Sequence, residues 1–388
     1  MLTKNSLFWL NALILISIAI NLRMPITSLG PIIEDIKSHY AISSSLAGFL
    51  TSIPIILFGS ISFIVGYFSS KKAMLIALCL ITIGILTRSY LGLIGLFAGM
   101  ALLGSGISIA NVLLPSFVKE KFPRKTTSMM SLYSLTLNIS SILGIWIALP
   151  LVKIFGLKNA MALCVIFGII ALILYTPQIK NHRILRGKNK VKTNKNLFLS
   201  SSAWKITIFM GLQSFMAYST FAWYASIIAS KGYSQEYGSN ILLLSQFVAT
   251  PVSLFGPLIF GYLREKYRVF YMAFLCILYI LGYGILLIGN NEIILYISAI
   301  ALGIPMGGVF GIALLFITIK AQTTPIAAKL SSMAQGFGYL IASSGPFIIG
   351  FCNDYFGEFN EAIIIILFVA IILNIFGILA YKCSVIKD

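Results

Sequence analysis

The chain has 388 residues, 59% of them hydrophobic and 10% charged, with 28 Lys and Arg against 10 Asp and Glu for a formal net charge of +18. A mean hydropathy of +0.98 excludes a soluble globular domain. The basic charge has no soluble face to occupy, so membrane lipid is the expected partner and nucleic acid is not. Five cysteines scattered singly, and two histidines that both fall in polar breaks, give no disulfide framework, no metal or cofactor site and no catalytic centre.

A helix needs about 20 apolar residues to cross the hydrocarbon core. Segments of that kind are predicted at 7–30, 43–68, 73–91, 93–118, 126–150, 158–177, 201–229, 236–262, 269–289, 293–319, 326–351 and 361–381. The expectation is an all-α integral membrane protein with twelve transmembrane helices. The first segment has a basic flank at Lys4 but is too long for a signal peptide, and reads as a retained span.

That first span holds Arg23, the one charge from Leu7 to Gly30. A cation at a bilayer centre costs roughly 2.5 to 3.5 kcal/mol on insertion scales, so a reason is required. Binding a solute is one reason; snorkelling toward the outer headgroups is the other. Pro25 follows, either loosening a turn used in transport or making an ordinary kink. The second span contains Pro54 and runs into the basic turn Gly66-Tyr67-Phe68-Ser69-Ser70-Lys71-Lys72. The third ends near Arg88, predicted to be a snorkelling anchor at the outer face.

In the fourth span Asn111 and Pro115, four residues apart, share a face. Asn111 needs a hydrogen-bonding partner there, either a neighbouring helix or a substrate. The fifth span carries Ser131, Ser134, Asn138 and Ser141 as one polar stripe, for close packing or for lining a cavity, with Tyr133 off the stripe. Residues 178–199 are basic without an acidic residue and read as a flexible linker. The chain is accordingly divided into halves at 1–177 and 200–388.

The seventh span offers Gln213 and Tyr218 deep inside, as cavity candidates, and Trp223 and Tyr224 near its outer end, as interfacial belt residues. The eighth has Gln246 ahead of Pro251, Gly256 and Pro257. The tenth has Gly303, Pro305, Gly307, Gly308 and Gly311, which permit close packing and bending. The eleventh places Gln335 and Tyr339 four apart on one face.

Breaks rich in Lys and Arg alternate with breaks holding two or fewer, 22 in all against 5, which puts both termini and the linker in the cytoplasm. The halves also repeat. The turn at 66–72 has a counterpart in Gly261-Tyr262-Leu263-Arg264-Glu265-Lys266-Tyr267-Arg268, and Ala101 to Lys119 aligns with Ala301 to Lys320. Two pseudo-symmetric six-helix halves are the expectation.

The Gly-x-x-x-Glu-Lys-x-Arg pattern at 261–268 resembles the signature loop of the major facilitator superfamily; Ser69 and Ser70 stand in the first half where an acidic residue is usual. Asn21-Leu22-Arg23, Leu50-Thr51-Ser52-Ile53-Pro54, Ala110-Asn111-Val112-Leu113-Leu114-Pro115, Gly211-Leu212-Gln213-Ser214 and 333–339 with Gly345-Pro346 together resemble its cyanate and 2-nitroimidazole permease branch. The resemblance implies a major facilitator fold and a gating role for Glu265, Lys266 and Arg268.

All ten acidic residues lie in breaks or at span ends. Proton-driven exporters of cations commonly hold a carboxylate in mid-membrane, so its absence points elsewhere. Arg23 predicts a small anion as solute, with Asn111, Asn138, Gln213, Tyr218, Gln335 and Tyr339 adding contacts and Pro25, Pro54 and Pro115 flexing. Exposure to each side in turn follows from rocking of the halves. The expected protein is a monomeric carrier in a bacterial inner membrane and not an enzyme. An exporter of neutral or cationic drug-like compounds and a non-transporting receptor are the alternatives.

Overall fold

The structure is a computed structural model that describes residues 4–65, 71–180 and 197–387. Residues 66–70 of the first basic turn and 181–196 of the linker lie outside these.

The described chain is helical almost throughout. Its helices are α1 (Lys4–Thr27), α2 (Ile33–Tyr40), α3 (Ser44–Val65), α4 (Lys71–Tyr90), α5 (Gly92–Lys121), α6 (Thr126–Leu163) and α7 (Val165–Tyr175), then α8 (Ser201–Ala229), α9 (Gln235–Tyr262), α10 (Glu265–Ile288), α11 (Glu292–Ile319), α12 (Thr324–Phe356) and α13 (Asn360–Lys382). Among the described residues nine segments are long and apolar enough to cross a membrane. One of them, Ser128–Gln178, is 51 residues long. At 1.5 Å per residue that is more than twice the ~30 Å hydrocarbon core.

The break inside it is Gly156, at φ 76°, a conformation that costs glycine nothing. The fifth and sixth predicted spans lie on either side. The predicted seventh and eleventh spans coincide with α8 and α12, of 29 and 33 residues. Among the described residues each of the twelve predicted spans falls on helix, the sixth divided between the end of α6 and α7, while residues 66–68 of the second lie outside them. α1 does not stop at Pro25 but continues to Thr27. The loop that follows contains the short α2, a feature the span pattern did not predict.

By packing the chain forms two units. The first comprises Met1–Ala41 and Ile56–Lys188, the second Ile42–Ile55 and Asn189–Asp388. The predicted halves differ from this in one element: the start of α3, with Pro54, belongs to the second unit.

In the second unit α8 lies against α12 where Gly211 faces Gly338, and α9 against α11 where Gly303 and Gly307 leave no room for a Cβ beside the Ser245 and Ala249 carbonyls. Lipid tails are as apolar as the helices, so close van der Waals contact of this kind holds such helices together. Trp223 and Tyr224 are buried here, both at 0% exposure. The Trp223 indole N–H donates to the Pro346 carbonyl at 2.8 Å, and the Tyr224 hydroxyl pairs with Ser298 at 2.8 Å. They are interior hydrogen-bonded residues of the bundle and not the interfacial belt expected of them.

Candidate functional site

In the first unit the stretch around Arg23 is fixed from several sides. Asn21, 1% exposed, donates its amide to the Ser17 carbonyl at 2.8 Å and across to the Phe167 carbonyl of α7 at 2.9 Å. The Thr27 hydroxyl lies between the Arg23 carbonyl, at 3.2 Å, and the Ser141 carbonyl of α6, at 3.3 Å. Gly144 of α6 brings its backbone against Met24 and Thr27. Arg23 itself is half-buried.

The fourth support is Arg88 of α4, and it overturns the expectation of a snorkelling anchor. Arg88 is 0% exposed and the one charged side chain buried to this degree among the described residues. Its guanidinium donates to the Pro25 carbonyl at 2.6 Å and to the Met161 carbonyl at 3.4 Å, with the Met100 sulfur at 3.5 Å. The Pro25 oxygen lies in the last turn of α1, where it also accepts from the Ser28 hydroxyl at 3.4 Å. A cation there adds a second donor to that acceptor and complements the negative end of the helix dipole. Position along a span makes a terminal arginine look like a headgroup anchor; only the approach of α1 and the segment around Met161 makes it interior.

Asn111, half-buried on α5, accepts from the Tyr133 hydroxyl of α6 at 3.1 Å. A neighbouring helix thus supplies the partner it required. Tyr133, off the predicted polar stripe, had no sequence signal that pairs it with Asn111. Within the stripe Asn138 is half-buried, Ser134 exposed and Ser141 buried against α1. Pro115 is exposed, one turn beyond Asn111. Nothing is described of the Ser131 side chain.

In the second unit the structure brings two of the predicted residues together. The rings of Tyr218 on α8 and Tyr339 on α12 lie 6.3 Å apart at 70°, an edge-to-face pair. Gln335, one turn before Tyr339, bonds the Ser331 hydroxyl of its own helix at 2.9 Å. Gln213 is 2% exposed and accepts from the Ser214 hydroxyl at 3.2 Å. Five residues separate it from Tyr218, which at 100° per residue puts the two on different faces of α8. Beside them runs a ladder of buried hydroxyls that sequence reasoning missed: Thr220 with Tyr283 at 2.7 Å, Tyr224 with Ser298, and Ser298 onto the Gly282 carbonyl at 2.7 Å.

The loop from Gly261 to Arg268 works as a helix cap. Arg268 folds back to donate to the Gly261 and Leu263 carbonyls at the end of α9, both at 2.9 Å. Lys266 lies over the Tyr267 ring at 4.7 Å, and Tyr381 donates to the Glu265 carbonyl at 2.9 Å. At the same end of this unit Lys320 donates to the Tyr381 and Cys383 carbonyls that finish α13. At its opposite end Lys231 reaches the Leu286 carbonyl in the last turn of α10. There too the Ser44 and Ser45 amides, which open α3, donate at 2.8 and 2.6 Å to Asp354, a carboxylate capping a helix start. Asp354 is exposed, past the apolar part of α12. Burial pushes its carboxyl up, but the hydrogen bonds from Ser45, Ser44 and Ser43 outweigh that and hold it below the usual range.

Among the described residues no group of three or more His, Cys, Asp or Glu gathers to hold a metal ion. The first unit offers the half-buried guanidinium of Arg23 and, elsewhere in it, the half-buried amide and phenol of Asn111 and Tyr133, side chains of the kind that bind solutes by charge and hydrogen bonds.

Comparison with known proteins agrees. The chain is 34% identical over 376 residues to an uncharacterised transporter of Bacillus subtilis, covering 95% of this chain and 92% of the relative. It is 30% identical, over 100% of both chains, to a 2-nitroimidazole transporter of Escherichia coli. It is 26% identical to the cyanate transport protein of Escherichia coli, over 89% of this chain and 91% of that one. In fold it is similar to a bacterial homologue of the human lysosomal transporter Spinster, with a TM-score of 0.76 at 13% identity and 98% of each chain covered. With the helical fold in place, and the family model matched across residues 7–343, this multi-pass membrane chain belongs to the Major Facilitator Superfamily of transporters.

Proposed function

We propose that this secondary transporter carries a small anion, cyanate-like or a small carboxylate. Arg23 meets its charge. Asn111 and Asn138 in the first unit, and Gln213, Tyr218, Gln335 and Tyr339 in the second, contribute polar contacts. Pro25, Pro54 and Pro115 are the points where helices flex, and Glu265, Lys266 and Arg268 stabilise one state of the cycle.

The observation that carries this reading is Arg23: a half-buried guanidinium within an otherwise uncharged stretch from Leu7 to Gly30. A planar fork of donors suits flat, acceptor-rich anions. The relative named for cyanate supports it. A second reading, transport of a neutral heteroaromatic compound, draws on the relative named for 2-nitroimidazole and on the Tyr218 and Tyr339 ring pair. The end of the second unit that holds Arg264, Lys266, Arg268, Lys320 and Lys382 is read as cytoplasmic, in a bacterial inner membrane, with the protein acting as a monomer.

Uptake of labelled cyanate into proteoliposomes tests the proposal. Wild-type protein is expected to take it up saturably, and Arg23→Ala to lose at least tenfold while still inserting and purifying. Equal uptake by the variant overturns the role of Arg23. Uptake of 2-nitroimidazole alone, indifferent to Arg23→Ala, selects the second reading.

A further inference from the structure

Arg88 carries more than a packing role. Its guanidinium is charged in any protein environment and is 0% exposed. Its partners are two carbonyl oxygens and a thioether sulfur, so dipoles solvate the charge and no carboxylate cancels it. The titratable side chain beside it is Cys164, a thiol. Its Nε has no hydrogen-bond partner. A full positive charge therefore stays inside the first unit, where neither water nor salt screens it well.

Its distance from Arg23 is bounded by the helix. Pro25 is two residues beyond Arg23 on α1, so a guanidinium 2.6 Å from the Pro25 oxygen lies within about 10 Å of the Arg23 backbone. Adding the length of the Arg23 side chain puts a solute at its tip about 10 to 15 Å from that charge, where, with the effective dielectric suited to protein interiors, one unit charge changes the affinity of a monovalent anion by roughly five- to tenfold.

We propose that Arg88 is a specificity-determining residue, a fixed second cation whose field makes the surroundings of Arg23 prefer anionic solutes without touching the solute. The inference rests on the reading of Arg23 as the solute's charge partner. It explains why a buried cation is retained where a hydrophobic side chain of similar volume would pack at lower cost.

The test measures the field without a solute, which separates it from the cyanate experiment. Arg23→Cys is made in a background whose five native cysteines are replaced. The pH dependence of alkylation by N-ethylmaleimide then reports ionisation of the thiol at position 23, because the thiolate is the reactive form. With Arg88 intact the midpoint is expected below the ordinary thiol value of about 8.5. Arg88→Gln, which keeps a donor for the Pro25 carbonyl but removes the charge, is expected to raise the midpoint by about one pH unit. Arg88→Lys is expected to leave it in place. A midpoint that is the same in all three proteins assigns Arg88 to packing alone and overturns the proposal. Should Arg88→Gln not fold, the Arg88-intact protein decides by itself: a midpoint at or above about 8.5 overturns it.

Discussion

Both units use a cation to finish helices, and they do so in different places. In the second unit Lys231, Arg268 and Lys320 cap the carbonyl ends of α10, α9 and α13 from loops and helix starts, half-buried. In the first unit Arg88 performs the same task for α1 from within the bundle, fully buried. The hydrogen-bond chemistry is identical, and the surroundings set its consequences. A half-exposed lysine on a helix end is worth a few tenths to about 1 kcal/mol and is screened by salt. A buried guanidinium has no water to fall back on, so its loss takes a donor from carbonyls in a dry interior.

The contrast makes ordered predictions. The largest effect is expected for Arg88→Ala, which leaves a cavity and takes the guanidinium away from the Pro25 and Met161 carbonyls, for a loss of about 3 kcal/mol. The apparent melting temperature in detergent should fall by several degrees and should not respond to added salt. A drop no larger than that of the loop variants would erase the distinction between the units.

Lys320→Ala removes the equivalent cap in the second unit. A loss of about 1 kcal/mol is expected, partly reproduced in the wild type by raising the salt concentration. Hydrogen exchange localised to the end of α13, with the rest of the unit protected as before, is the matching observation; global loosening contradicts it.

Asp354→Asn probes the reverse case, a carboxylate on a helix start. Asp354 is exposed, so solvent limits its value to about 0.5 kcal/mol. Its folded carboxyl titrates below the ordinary range. The unfolded chain therefore binds more protons between the two values, and the contribution is present above about pH 4 and lost as pH falls through the folded value. Wild type and variant should converge in stability at acid pH and separate above it. A constant difference across that window would remove Asp354 from the account.

Much of the fold was legible in the sequence because the bilayer imposes it. Backbone groups in lipid must bond internally, so each apolar run of about 20 residues has one outcome, a helix. That is why the predicted spans fall on helices, with the turn at Leu263 and Arg264 inside a predicted break. Where two runs meet without a polar loop, as around Gly156, one glycine marks the break.

The site was legible in part. Arg23 announced itself because a lone charge in an apolar run has no cheap alternative. The fates of Arg88, Trp223, Tyr224 and Asn111 were not readable, for a common physical reason. In a soluble helix the polar face points to water, and periodicity reveals what is buried. Here lipid and bundle interior are both apolar, so the pattern along the helix does not say which side a residue faces. A terminal arginine and an outer-end tryptophan read as interfacial residues until a neighbouring helix supplies the carbonyl that takes their N–H. The sequence by itself determined that the chain crosses the membrane as helices and which apolar runs form them, since desolvation of the backbone decides that locally. Only the tertiary structure decided which polar side chains meet one another, because in an apolar solvent those encounters depend on helix rotation and close packing and not on hydropathy.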